Sequence, residues 1–352
     1  MKLYDDPELS TVIWRLIVSE EYRMFQQVLI LGAGPAGIST AVEAIKKGFS
    51  TDEILILEKF DEVAYMISSK YPDEKAVVAN YKNKFADRIS GLRISDMSKQ
   101  EFMAFMKGIV SEYQLNIKYH QTVERISKLK NGQLSVQTSN DVYLTNSLFI
   151  AIGTMSAPRT LSVSIPSTVS EKIFYDIQRI DNKIEKILVV GGGDSAAEYA
   201  KILIDRGHRV SLSYRGKAFD RMLSTNNEAT LELIKEKKLT FFSGTNIEKI
   251  EDHEGKPFVT FKELPQGEEF DGIVTALGNE RPANYLSSIG IEMGHEGDDI
   301  YSASSLEGVF FVGDIASVKG GGTINIAFNS GVKAMVEACT SYLDCHFESE
   351  KK

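Results

Sequence analysis

Cysteine is almost absent from this chain of 352 residues: Cys339 and Cys345 are the only two. A disulfide framework and a metal-binding cysteine cluster are therefore not expected. The pair is off the C-x-x-C spacing of a dithiol centre, and both read as packing residues at the end of a last helix. An excess of positive charge is lacking as well. Forty Lys and Arg stand against 49 Asp and Glu, a net charge of −9. Nucleic acid is thus a poor partner, since phosphate binding needs a basic face. No apolar run approaches the ~20 residues of a membrane-spanning helix, and the first residues lack the basic-then-apolar layout of a secretory leader. The expectation is a cytoplasmic globular protein with no membrane span, long enough for two packed domains.

Glycine is placed with more purpose. In "QVLILGAGPAG" four apolar strand residues run into Gly32, Gly34 and Gly37, the G-x-G-x-x-G spacing. Gly32 permits the tight turn, Gly34 lets the backbone approach a pyrophosphate, and Gly37 lets helix pack on strand. Pro35 and Ala36 open the helix whose N–H groups meet that pyrophosphate. The next strand, "EILILE", ends in Glu58, where a carboxylate accepts ribose hydroxyls. The unit repeats from Ile187 as "ILVVGGGDSAAEYA". Here Gly191 and Gly193 take the first two glycine roles, Ala196 replaces the third, and Asp194 and Ser195 begin the helix. Its second strand ends without a carboxylate, in Tyr214, Arg215 and Lys217, with Arg221 close behind. A guanidinium there suits a ribose 2′-phosphate, which selects NADPH over NADH.

Two apolar strands end in glycine before a proline-containing stretch, at Gly153 and at Gly278. Such punctuation marks chain crossings, so the second unit is expected to be inserted into the first. The chain returns with "EGVFFVGDIA", where Asp314 after Gly313 suits a ribityl hydroxyl. A glycine turn then opens a long helix near Thr323, whose N-terminus favours negative charge on a flavin ring. The expected cofactors are FAD on the first unit and NADPH on the second. The fold class is α/β, with two Rossmann-like dinucleotide-binding domains in three-layer ββα form. Residues 1–25 are an N-terminal extension, 26–154 and 280–352 a discontinuous FAD domain, and 155–279 the NADPH domain. Apolar residues at Val12, Ile13, Leu16 and Ile17 give the extension a helical spacing.

These motifs in this order resemble the thioredoxin-reductase-like flavoproteins. Thioredoxin reductases carry C-x-x-C in the NADPH domain, and residues 155–280 here hold no cysteine. The chain is thus most similar to the thioredoxin-reductase-type ferredoxin or flavodoxin NADP⁺ reductases, a likeness "KYPDEKAVVANYK" and "YRGKAFDRMLSTNNEATL" share. The resemblance implies hydride transfer from NADPH to flavin N5, rings about 3–3.5 Å apart, with no catalytic side chain. It implies a homodimer, and domain rotation about hinges at residues 154–161 and 279–283. An acidic ferredoxin or flavodoxin is the implied acceptor. Lys70, Lys75, Lys82, Lys84, Arg88 and Arg93 against Asp73, Glu74 and Asp87 make a local net +3 that would steer it. A solvated loop with fortuitous charge fits that stretch equally. Other readings stay open: a bacillithiol-type disulfide reductase, an NADPH-quinone reductase, a flavin monooxygenase or a redox-sensing flavoprotein.

Overall fold

The computed structural model describes residues 23–80, 89–155, 158–280, 282–293, 304–316 and 323–345. The expected helix through Val12 to Ile17 lies outside them. The first strand, β1 (Arg23–Leu31), starts earlier than its apolar run suggests, because residues 23–26 extend the pairing along a later strand. It feeds α1 (Pro35–Lys46) and then β2 (Ile54–Leu57), which lies parallel to it. A short α2 (Tyr65–Lys70) and a longer α3 (Lys99–Glu112) follow. Ser98 caps α3 in a capping box with Glu101, each satisfying the other's backbone N–H. Strands β3 (Ile117–Lys118), β4 (Val123–Lys128), β5 (Leu134–Thr138) and β6 (Val142–Ile150) complete this stretch. Their order is β3-β2-β1-β6-β5-β4, the first four strands parallel and the last two antiparallel.

A second sheet is assembled next. It uses β7 (Ile173–Phe174), β8 (Lys186–Val190), then α4 (Asp194–Asp205), β9 (Arg209–Tyr214), α5 (Ser224–Lys235) and β10 (Leu239–Ser243). An antiparallel ribbon of β11 (Ile247–His253), β12 (Lys256–Phe261) and β13 (Glu268–Glu269) precedes β14 (Gly272–Thr275). The order β10-β9-β8-β14-β7 is parallel throughout. The chain then passes through α6 (Ala283–Ser288) and returns to the first sheet as β15 (Val309–Phe311), parallel to β6. It ends in α7 (Ile324–Ser341), which crosses α1.

Both parallel sheets are apolar on both faces, as helix-covered sheets must be. The pleat sorts the side chains. Val28, Ile30, Ile54 and Ile56 join the core under α1, α3 and α7, while Leu29, Leu31, Leu55 and Leu57 join the core on the other face. In the second sheet Ile187 and Val189 pack under α4, and Leu188 and Val190 pack against the antiparallel ribbon. That gives the second unit its ββα layering. Because β7 to β14 lie in sequence between β6 and β15, the second parallel unit is inserted in the first. Among the described residues no helix is long and apolar enough to cross a membrane.

One sequence expectation is overturned. Cys339 and Cys345 are joined as a disulfide, Cα–Cα 5.4 Å apart, and are not merely packing residues. The chain leaves α7 just after Cys339 and doubles back, which brings a residue six positions on within bridging range.

Candidate functional site

Each of the two units ends its first strand in a turn whose glycines differ in what surrounds them. Gly32 has φ +105°, and a Cβ there would stand 2.7 Å from the Ala151 carbonyl oxygen. A Cβ on Gly37 would stand 2.0 Å from the Gly32 oxygen, so helix and turn touch with no room for a methyl. Around Gly34 a Cβ would meet nothing within 4 Å. The first and third glycines are consumed by packing, and the middle one leaves open space at the N-terminus of α1. Gly34 is the N-cap there and Pro35 follows in the first turn, where its missing N–H costs nothing. That arrangement fits a pyrophosphate group.

Glu58, at the end of β2, is buried to 7% exposure. One carboxylate oxygen accepts the Ala33 N–H at 2.7 Å and the other accepts the Phe60 N–H at 2.9 Å. A carboxylate has about four acceptor positions, so two remain for ribose hydroxyls. On the far side of the turn, Gly313 has φ +77° and its Cβ position lies 2.8 Å from the Ala36 Cβ. Its N–H donates to Ser330 Oγ at 2.7 Å, and that hydroxyl donates to the Ala327 carbonyl. Asp314 is thereby set beside the N-terminus of α1, half-buried. Thr323 caps α7, its hydroxyl accepting the Ile326 N–H at 3.3 Å.

Sequence reasoning did not single out Ser330, Asn325 or Asn329. Asn325 is buried, accepts the Ile94 N–H and donates to the Ile94 carbonyl, while Asn329 accepts the Ser90 N–H. These side chains pin residues 90–94 against α7. The signal was available: asparagines at i and i+4 on the buried face of a helix need specified partners.

The second unit repeats the first with one replacement. A Cβ on Gly191 would stand 2.4 Å from the Ala276 oxygen, Gly193 is open, and Ala196 Cβ lies 3.2 Å from the Gly191 Cβ position. Ser195 is in the first turn of α4, where N–H groups lack helical partners. The Asp194 carboxylate is engaged elsewhere, accepting the Leu223 N–H at 2.6 Å and the Asn226 side-chain amide at 2.9 Å. It holds the turn that follows Arg221. Arg215, Lys217 and Arg221 are exposed near the end of β9. Gly153 (φ +62°) and Gly278 (φ +81°) sit where the chain crosses between units. The two crossings run side by side: Pro158 bridges Asn279, and the Arg159 N–H donates to the Gly278 carbonyl at 2.9 Å.

The basic stretch is only partly as expected. Lys70 pairs with Asp176 at 2.9 Å and Lys75 with Glu198 at 2.5 Å, both on the inserted unit. Arg206 grips Glu74 through a two-pronged fork at 3.0 and 2.9 Å. The Gln178 amide donates to the Tyr71 carbonyl. Residues 70–75 thus fasten the two units together, and the charges of Lys70 and Lys75 are offset by acidic partners on the inserted unit. Lys82, Lys84 and Arg88 lie outside the described residues. Burial pushes the Tyr71 hydroxyl up to about 12, with the Glu198 and Asp314 carboxylates adding to it. Tyr199 is pushed up for the same first reason, helped by Asp176, Tyr71 and Glu198.

Two glycine turns, each leading from a parallel strand into a helix, one beside the buried Glu58 carboxylate and one beside exposed basic residues, have the form of two dinucleotide sites. A family model described as pyridine nucleotide-disulphide oxidoreductase matches residues 29–313, and the chain belongs to that family. It is an NADPH-dependent flavoprotein reductase with FAD and NADPH as cofactors. It is 23% identical over 304 residues to a protein named ferredoxin–NADP reductase from Lacticaseibacillus paracasei, covering 84% of this chain and 86% of the other. Its fold is similar to that of bacillithiol disulfide reductase from Staphylococcus aureus (TM-score 0.76, 21% identity, 90% and 99% of the two chains). It is also similar to that of Lactococcus lactis thioredoxin reductase (TM-score 0.69, 23% identity, 90% and 98%).

Proposed function

We propose that this reductase passes electrons from NADPH through FAD to a small acidic one-electron carrier, a ferredoxin or flavodoxin. One observation carries the reading: residues 155–279 hold no cysteine, so the NADPH-binding unit has no dithiol to receive electrons. The disulfide at Cys339 stands some 16 helical positions from Thr323, about 24 Å at 1.5 Å per residue. That is too far from the N-terminus of α7 for it to serve a group bound there. The names of relatives such as the Lacticaseibacillus protein support the same acceptor class.

Bound FAD and NADPH supply the hydride and electron chemistry; the chain supplies position. The FAD pyrophosphate would sit on the open N-terminus of α1, taken by the N–H groups of Gly34, Ala36 and Gly37, with Gly32 and Pro35 shaping the turn, and Glu58 would take the adenosine ribose. Gly153, Gly313 and Asp314 border the ribityl chain, and Thr323 starts the helix whose positive end faces the ring system. On the other unit the backbone N–H groups of Gly193, Asp194 and Ser195 would receive the NADPH pyrophosphate, Gly191 and Ala196 would let the turn close against the helix, and Gly278 would border the nicotinamide side. The Asp194 side chain shapes the turn and leaves only its backbone to the phosphate. Arg215, Lys217 and Arg221 hold the 2′-phosphate. Domain limits near 25/26, 154/155 and 279/280, a homodimer and a cytoplasmic setting complete the reading.

The test is an acceptor panel with the purified, FAD-loaded protein and NADPH. Reduction of ferredoxin or flavodoxin well above that of bacillithiol disulfide and quinone supports the reading. Faster turnover of the disulfide contradicts it.

A further inference from the structure

The two units can be aligned through their own backbone pairing. Leu31 pairs with Leu57 in the first and Val190 with Ser213 in the second. The next residues, Gly32 and Gly191, donate their N–H groups to the Leu57 and Ser213 carbonyls at 2.8 and 3.0 Å. Tyr214 therefore stands in the second unit where Glu58 stands in the first, and Gly192 stands where Ala33 stands. In the first unit that pair is a hydrogen bond, Ala33 N–H to Glu58 carboxylate. In the second it is a steric contact. A Cβ on Gly192 would lie 2.2 Å from the Tyr214 Cδ2 and Cε2 atoms. Across the ring, a Cβ on Gly216 would lie 2.5 Å from Cε1 and 2.8 Å from Cζ. The ring is thus set between two glycines and stacks on Phe219, centroids 5.9 Å apart and planes at 14°.

We propose that Tyr214, seated on Gly192, is a specificity-determining residue that excludes the carboxylate NADH would need. This rests on the reading that the second unit takes NADPH. The ring occupies the place of the ribose acceptor, so the adenosine hydroxyls gain no charged partner. Affinity then depends on the 2′-phosphate and on the basic residues that follow. The same geometry explains the third consecutive glycine in "VVGGGD": Ala at 192 is incompatible with the ring, whereas Ala33 coexists with a carboxylate.

The test uses full-length FAD-loaded protein. Isothermal titration gives the Kd of NADP⁺ and NAD⁺, and ferricyanide reduction gives kcat/KM for NADPH and NADH. Tyr214→Phe keeps the ring and should hold the NADP⁺/NAD⁺ ratio within about twofold. Tyr214→Glu should weaken NADP⁺ and tighten NAD⁺ by about tenfold each, the worth of one charge-assisted hydrogen bond gained or opposed. Gly192→Ala should cost about tenfold in NADP⁺ affinity alone and under about twofold in the Tyr214→Glu background, since the three atoms nearest to the added methyl all belong to the ring. A wild-type preference that survives Tyr214→Glu unchanged overturns the Tyr214 assignment alone. Wild-type protein that binds NADP⁺ and NAD⁺ alike overturns the NADPH reading and this proposal with it. Should Tyr214→Glu lose FAD or fail to fold, Tyr214→Gln decides: a ratio narrowed by about threefold or more supports the assignment, and an unchanged ratio overturns it.

Discussion

Exchanging Glu58 for Gln preserves the size of the side chain and turns one acceptor oxygen into an NH₂ donor. In the native structure both oxygens are used, by the Ala33 N–H at 2.7 Å and the Phe60 N–H at 2.9 Å. At 7% exposure there is little water to take their place. Glu58→Gln therefore loses one charge-assisted bond, about 1.5–3 kcal/mol, and sets two donors face to face. Ala33 lies in the turn between Gly32 and Gly34, so its misplacement is felt where the pyrophosphate sits. Taking about 2–3 kcal/mol as the share that falls on cofactor binding, FAD affinity should drop roughly 30- to 150-fold. The assay is titration of the apoprotein with FAD, read by flavin fluorescence, with circular dichroism to show that the fold is kept. A variant that folds and binds FAD within about threefold of wild type would refute the assignment of Glu58.

Two further outcomes are expected. Arg215→Ala should raise the Kd for NADP⁺ by about tenfold or more while leaving NAD⁺ within about twofold; isothermal titration checks this, and equal losses would make Arg215 a structural residue. Tyr71 keeps its proton to about 12 when folded, against an ordinary value of 10.0. Its contribution is intact below the ordinary value and is lost as pH rises from 10 towards about 12, because the unfolded chain ionises first. Urea unfolding of Tyr71→Phe should therefore show a shallower loss of stability across that alkaline window than wild type, and parallel curves would count against the burial of this hydroxyl.

Much of the fold was legible because glycine spacing reports backbone geometry directly. Gly32, Gly37 and Gly191 are glycine because a methyl there would strike a carbonyl oxygen within 2.7 Å or less. The insertion followed from the apolar strands that end in Gly153 and Gly278 and the proline-containing stretches after them. What lay hidden was tertiary. Nothing in the sequence placed Lys70, Glu74 and Lys75 against Asp176, Arg206 and Glu198, since those pairs are more than 100 residues apart in the chain. Counting Lys70 and Lys75 towards a patch missed the acidic partners that the fold sets beside them. The Cys339–Cys345 bridge was missed because a spacing of six says nothing about the chain doubling back after α7. Tyr214 was visible only as one member of a basic-aromatic strand end. Its position is defined by the strand register, which gives it in the second unit the place that Glu58 has in the first.

On the proposed reading electrons leave by way of FAD for an external carrier without passing through a protein dithiol. The direct measurement is stopped-flow reduction of ferredoxin by NADPH with the Cys339→Ser/Cys345→Ser double variant beside wild type, each loaded with FAD. The two rates should lie within about twofold of each other, because the disulfide lies about 24 Å along α7 from its N-terminus. A double variant that accepts electrons from NADPH yet fails to pass them to ferredoxin would contradict that reading.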